Sequence, residues 1–213
     1  MSPVAPPFFL RWLSPAYLVC DLPATEKVIY LTFDDGPIPD VTPEVLSILA
    51  KFEARATFFV VGDNVRKYPD VFEQVRAAGH AVGNHTFHHL NGWKTSPGAY
   101  AEDVSRCRDY FETKLFRPPY GRFTPSQYFL LRKDYRIILW SVLTSDYDKR
   151  VTPGQCLENA IEHTKPGSVV VFHDHVKSIA SVRYALPRML EHFSKLDYRF
   201  EAIGYNNPSS AKL

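Results

Sequence analysis

Cysteine is scarce in this chain of 213 residues: Cys20, Cys107 and Cys156 are odd in number, far apart, and form no CxxC pair. That excludes a disulfide framework and a thiolate zinc site, and it suits a reducing compartment. Charge of one sign is missing too, since 25 basic against 23 acidic residues leave a net charge of +2. Such a balance supplies no field for nucleic acid or for an anionic lipid surface. No apolar run approaches the ~20 residues of a membrane span. Phe8-Phe9-Leu10 lacks the preceding basic segment and the length of an export signal, so the cytoplasm is the default expectation. Low complexity is also absent: 45% hydrophobic, 14% aromatic and 23% charged residues describe an ordered globule and exclude intrinsic disorder. The sequence reads as one domain over residues 26–204, with an arm (1–25) packed on it and a flexible tail (205–213).

What is plentiful is proline, 17 residues, much of it in one kind of place. Thr42-Pro43, Ser96-Pro97, Thr124-Pro125 and Thr152-Pro153 each set a hydroxyl before a proline at a first helical position, with Tyr68-Pro69 a weaker fifth. The hydroxyl accepts an orphan N–H, and the N–H that proline lacks would have had no partner anyway. Downstream spacing is helical: Val45, Leu49 and Phe52 share one face, as do Tyr100, Val104, Cys107 and Phe111. Leu186-Pro187 should kink the last helix or mark its start. Between the helices lie seven short apolar runs, at 28–33, 56–61, 80–82, 115–116, 136–140, 169–172 and 198–203. Runs apolar on both faces suit parallel strands covered by helices on both sides, as in an α/β barrel or a doubly wound sheet.

Reactive residues follow five of these runs. They are Asp34-Asp35-Gly36-Pro37, Asn84-His85-Thr86-Phe87-His88-His89, Arg117-Pro118-Pro119-Tyr120-Gly121, the segment from Ser141 to Asp146, and His173-Asp174-His175. In parallel α/β folds the C-terminal strand ends form the mouth where sites are built. Each group alone has an ordinary reading, as a turn, a surface arginine or a strand cap. Two adjacent carboxylates beside a buried strand, however, stay ionised cheaply only if they share a cation. An aspartate joined to His85-x-x-x-His89 makes three ligands with an open position, the pattern of catalytic zinc. On spacing alone His88 could replace His89. Arg117 could hold one aspartate as an ionised base.

Taken in order, Thr32 to Pro37, His85 to His89, Arg117 to Gly121 and Phe172-His173-Asp174 resemble the polysaccharide deacetylases of carbohydrate esterase family 4. The resemblance spans roughly residues 26 to 204 and implies a distorted (β/α)7 barrel in a single domain. It implies that Asp35, His85 and His89 hold one divalent metal, zinc foremost, with cobalt or another transition metal as alternatives. Asp34 would be the general base, oriented by Arg117. Tyr120 would lend its backbone N–H to the oxyanion, and His173 would be the general acid, tuned by Asp146. Thr86 would steady the histidine loop. The family's Asp-x-x-Asp-Trp falls on Leu143-Thr144-Ser145-Asp146-Tyr147, so Leu143 stands where the resemblance implies a carboxylate supporting Arg117, with Asp148 or another group as the substitute.

The implied reaction is metal-assisted removal of acetyl groups from N-acetylated, or O-acetylated, amino sugars of a polysaccharide such as peptidoglycan or chitin oligomers. Tyr120, Tyr147 and Trp93 would offer aromatic faces to the sugar, and no protein partner is readable. Two rivals share the pattern. One is a metal hydrolase of another bond, such as a cyclic amide or a xylan acetyl ester. The other is a non-catalytic carbohydrate-binding relative.

Overall fold

The computed structural model of the chain describes residues 18–23 and 25–204. Most of the arm, Trp12 included, and the tail 205–213 lie outside the described residues. Nine short strands alternate with seven helices: β1 (Leu18–Val19), β2 (Val28–Asp34), α1 (Thr42–Ala50), β3 (Ala56–Val60), α2 (Gly62–Lys67), α3 (Pro69–Ala77), β4 (Ala81–Asn84), α4 (Pro97–Arg106), β5 (Leu115–Phe116), α5 (Pro125–Leu131), β6 (Arg136–Ile138), β7 (Val142–Leu143), α6 (Pro153–Glu162), β8 (Val169–His173), α7 (Ile179–Ser194) and β9 (Arg199–Phe200). The sheet runs β1-β6-β5-β4-β3-β2-β8-β7, with β9 beside the start of β2, and all of these ladders are parallel. The fold is the distorted (β/α) barrel, in a single α/β domain.

Two strands were not expected. Leu18–Val19, assigned to the arm, pairs with Ile137–Ile138 at one end of the sheet. The run 136–140, expected as one strand, stops at Ile138, and a further strand, β7, begins beyond it at Val142. The N–H of Leu139 donates to the Val19 carbonyl at 2.7 Å and that of Ser141 to the Val169 carbonyl at 3.0 Å. Three residues therefore carry the chain from β6, near one end of the sheet order, to β7 at the other. This crossing closes the barrel by a covalent seam rather than a continuous ladder.

Side chains on β2 divide by the period-2 rule. Ile29, Leu31 and Phe33 pack outward with residues of α1, α3 and α7, while Val28 and Tyr30 join Phe59, Leu115, Ile138 and Val169 in a second, inner cluster. Thr32 and Asp34 continue that inner row, so the strand delivers Asp34 to the barrel mouth by register alone.

The capping expectation holds for three helices. Ser96, Thr124 and Thr152 accept from their helices' first turns, and the last two complete capping boxes with Gln127 and Gln155. It fails at Tyr68, which caps with no side-chain bond, and at Thr42, which lies inside α1 after Val41. Thr42 Oγ1 instead donates to Asp174 Oδ2 at 2.6 Å and accepts from the Ile38 N–H at 2.8 Å. Tertiary demand on that hydroxyl outweighs a local cap worth about 1 kcal/mol. Pro187 sits inside α7 rather than at its start. No described helix is long and apolar enough to cross a membrane.

Candidate active site and metal centre

The strand ends arrive in register. Asp34 is the ladder partner of His173 across β2 and β8, and Asn84 that of Phe116 across β4 and β5. The next residue in each case, Asp35, His85 or Arg117, therefore stands at the same end of the barrel. Asp35, His85 and His89 each offer one ligand atom, all within 4.8 Å of one another.

The donor chemistry of that trio fits a divalent cation. His85 is buried, and its Nδ1 lies 2.8 Å from the Arg117 carbonyl, where a ring nitrogen can only donate. That bond directs the Nε2 lone pair at Asp35 Oδ1, 3.7 Å away. Two electron-rich atoms facing each other at that distance are relieved by a shared cation. Burial pushes His85 down to about 4 despite the nearby Asp34 and Asp35, which keeps it in the neutral form that ligates. Burial also opposes charge on Asp35, but the hydrogen bond from His89 Nε2 (3.0 Å), with His173 and His85 nearby, holds its carboxyl well below the usual carboxylate range. His88 is not part of the trio: its Nδ1 points to the buried Asp103. The choice that spacing left open thus falls to His89.

Arg117 is fully buried beneath Asp34. Its Nη1 donates to Asp34 Oδ1 at 2.7 Å and to Thr32 Oγ1 at 2.8 Å, and its guanidinium lies 4.1 Å over the Phe59 ring. Nε and Nη2 donate to the carbonyls of Ile138 (3.1 Å) and Leu139 (2.8 Å), at the seam where the ladder stops. These two donors of Arg117 thus meet backbone carbonyls, in a chain with Leu143 where the resemblance implies a supporting carboxylate. Leu143, on β7, pairs with Val171 on β8. Asp148 does not substitute, since it is bound to Arg150 at 2.9 and 2.6 Å.

Across the mouth, His173 Nδ1 lies 2.7 Å from Asp146 Oδ1, and the His173 N–H donates to Asp146 Oδ2 at 2.7 Å. Burial disfavours the imidazolium, but Asp146, with Asp35 and Asp34 behind it, wins, and His173 is lifted to about 9. The Tyr147 ring meets His173 edge-on at 4.9 Å, and Tyr120 meets His89 in the same way at 4.8 Å. Trp93 stands off the trio: its Nε1 donates to the Phe123 carbonyl at 3.3 Å and Arg122 lies over its ring at 4.8 Å. Of seven non-glycine residues with positive φ among the described residues, five (Asp35, Thr86, His89, Tyr120 and Ser145) belong to these loops. Left-handed backbone of this kind persists only where its surroundings over-determine it.

Those surroundings include residues the sequence reading passed over. Asn84 Oδ1 accepts from the Thr86 N–H (2.8 Å), and Thr86 Oγ1 accepts from the Leu90 N–H (3.0 Å). Asp103 Oδ2 accepts from the N–H groups of Phe87 and His88 at 2.9 and 3.0 Å. Asp174, fully buried and pushed up to about 8 by that burial, accepts from the Gly36 N–H at 2.9 Å and from Thr42. A buried aspartate on a helix face, in the case of Asp103, was the one signal available for them.

Gly36 is required by this contact. A Cβ there would stand 1.9 Å from Asp174 Oδ2. Gly36→Ala is expected to cost about 1–3 kcal/mol of stability and to displace the adjoining Asp35. Urea unfolding checks the first effect and metal content the second; an unchanged midpoint with full metal loading would refute this account of the loop.

Comparisons with known proteins bear on the fold and the family. The sequence model of the polysaccharide deacetylase family matches residues 21–134. A peptidoglycan-N-acetylglucosamine deacetylase of Bacillus cereus is 34% identical over 88% of this chain and 91% of its own length. A chitooligosaccharide deacetylase of Azorhizobium caulinodans is 31% identical over 77% of this chain and 89% of its own. The crystal structure of the Bc1960 peptidoglycan N-acetylglucosamine deacetylase superposes with a TM-score of 0.85 at 28% identity, covering 93% of this chain and 95% of that one. With its parallel barrel and its catalytic-type cluster at the strand ends, this chain belongs to the polysaccharide deacetylase family.

Proposed function

We propose that this chain hydrolyses the N-acetyl groups of amino sugars in a glycan of the peptidoglycan or chitin type, releasing acetate and a free amine. The reading rests on one observation. Two proton-handling groups, Asp34 and His173, are ladder partners on β2 and β8, each locked by an opposite charge, beside the Asp35/His85/His89 trio.

Asp35, His85 and His89 hold one divalent cation, zinc foremost and cobalt or another transition metal otherwise. When bound, such an ion polarises the acetyl carbonyl and lowers the pKa of water towards ~7. Asp34 accepts the proton of the attacking water. Arg117, with no freedom left to its guanidinium, holds the Asp34 carboxylate in place for that transfer. The backbone N–H of Tyr120 donates to the developing oxyanion, a kind of contact worth about 3–4 kcal/mol. His173, a cation at neutral pH through Asp146, gives its proton to the departing nitrogen, for which general acid catalysis supplies ~10²–10⁴-fold. Asp146 then stabilises the imidazole in one orientation for the next turnover. Tyr120 and Tyr147, set edge-on to His89 and His173, flank the sugar.

Acetate release from a panel of N-acetylated and O-acetylated oligosaccharides, with cyclic amides included, tests the reading. Oligomers of N-acetylated amino sugars should release acetate, whereas Asp35→Ala and His85→Ala should lose both metal, by elemental analysis, and turnover. Ring opening of the cyclic amides, or acetate from xylan esters alone, would sink it. Silence across the panel from metal-loaded protein would mark a carbohydrate-binding relative instead.

A further inference from the structure

Beside the proposed site stands an exposed tryptophan whose orientation is fixed. Trp93 is 66% exposed, so burial contributes little to holding it. Its setting is nonetheless built. Gln127, fully buried, donates to the carbonyls of Gly92 (2.9 Å) and Thr95 (3.0 Å), while its Oε1 accepts from the Thr124 N–H (2.9 Å). Asn91 Oδ1 accepts from the Trp93 N–H at 3.0 Å, and the indole N–H is tied to the Phe123 carbonyl. A Cβ at Gly92 would meet the Arg122 carbonyl at 2.3 Å, so the loop after His89 lies directly on the loop after Tyr120. These two loops carry a proposed metal ligand and the proposed oxyanion donor. Their joint rim carries Trp93.

The charge on this rim is of one sign. Arg66, Arg76, Arg108, Arg150, Arg183 and Arg199 each pair with a carboxylate. Arg122 does not: like Arg106 over Phe87 and Arg188 over Tyr184, it lies on an aromatic ring. That ring is Trp93, 4.8 Å from the guanidinium, and of the three it is the one on the rim of the proposed site. Lys94, exposed next to Trp93, likewise has no ion pair among the described residues. A guanidinium laid on an aromatic face keeps its N–H donors at the ring's edge, where they can meet a carboxylate bidentately.

We propose that Trp93 and Arg122 form a subsite for the glycan beyond the acetyl-bearing sugar, Trp93 stacking a sugar ring and Arg122 binding a carboxylate carried by the strand. This rests on the deacetylase reading above and narrows it, because chitin oligomers carry no carboxylate and peptidoglycan strands do. The neutral chain total thus conceals a local preference for an acidic glycan.

Equilibrium binding to metal-loaded Asp34→Asn protein, whose turnover should be slow enough to leave its ligand intact during the measurement, tests the subsite. The probes are a peptidoglycan glycan strand and the same strand with its carboxylates amidated. At low salt the carboxylate form should bind about two- to fivefold tighter, the range of an exposed charged contact. Arg122→Ala should bring the ratio close to one, and Arg122→Lys should keep part of it as a point charge. Trp93→Ala should weaken both strands together. The preference should shrink as salt rises. A ratio that survives Arg122→Ala, or equal binding of the two strands by the parent protein, overturns the proposal. The reaction fails separately: wild-type protein with the preference intact but no acetate released would overturn the deacetylase reading and leave the subsite standing.

Discussion

Asp34→Asn should leave a folded, metal-loaded protein that has lost about 10²–10⁴-fold in turnover, the contribution of a positioned proton acceptor. The amide keeps an oxygen for Arg117 Nη1, now 2.7 Å from Asp34 Oδ1, but cannot take the proton of the attacking water. The trio of Asp35, His85 and His89 does not include Asp34, so metal content should be unchanged. The substitution does leave the buried Arg117 charge without its counter-ion, and some stability is expected to go with it. Circular dichroism therefore accompanies the rate measurement. Near-normal acetate release by the well-folded variant would remove Asp34 from the role of base.

The second large effect belongs to Arg117. Arg117→Met preserves length and apolar bulk but removes five donors from a fully buried position. Asp34 would then be a carboxylate without its ion pair, and the carbonyls of Ile138 and Leu139 would lose the donors they have at the seam. Breaking one side of a buried pair typically costs about 3–5 kcal/mol, a large share of a domain's ~5–15 kcal/mol. Chemical denaturation should show that drop, and the folded fraction should also turn over slowly, because Asp34 is no longer aimed. Arg117→Lys should rescue little, since one ammonium cannot span Asp34, Thr32 and two carbonyls. A loss below about 1 kcal/mol would mean that the guanidinium neither closes the seam nor supports Asp34. Leu143 stands where the family resemblance leads one to expect aspartate, and the same guanidinium is held there without it. Nε and Nη2 of Arg117 are occupied by the carbonyls of Ile138 and Leu139.

Parallel strands and helix starts were legible because they are written in local patterns. Buried runs of the type Val169–Phe172 cannot be solvated on either face, and Thr124 and Thr152 meet their own glutamines three residues on. The reactive residues were legible for a related reason: they follow those runs directly, so the strand end that creates the mouth also names its contents. Asp34, Asp35, His85, Arg117 and His173 could be listed before their positions were known.

What the amino-acid sequence determined by itself was thus the class of fold and the inventory of reactive groups at the strand ends. Only the tertiary structure decided between His88 and His89, because the choice depends on Asp103 reaching the loop from α4. It alone took the Thr42 hydroxyl away from a cap and gave it to Asp174, 132 residues later. It alone met two donors of Arg117 with backbone carbonyls, and set Arg122 on Trp93. Each of these is a contact between segments far apart in the chain, where the partner is chosen by what else is buried nearby. Local spacing carries no record of that choice.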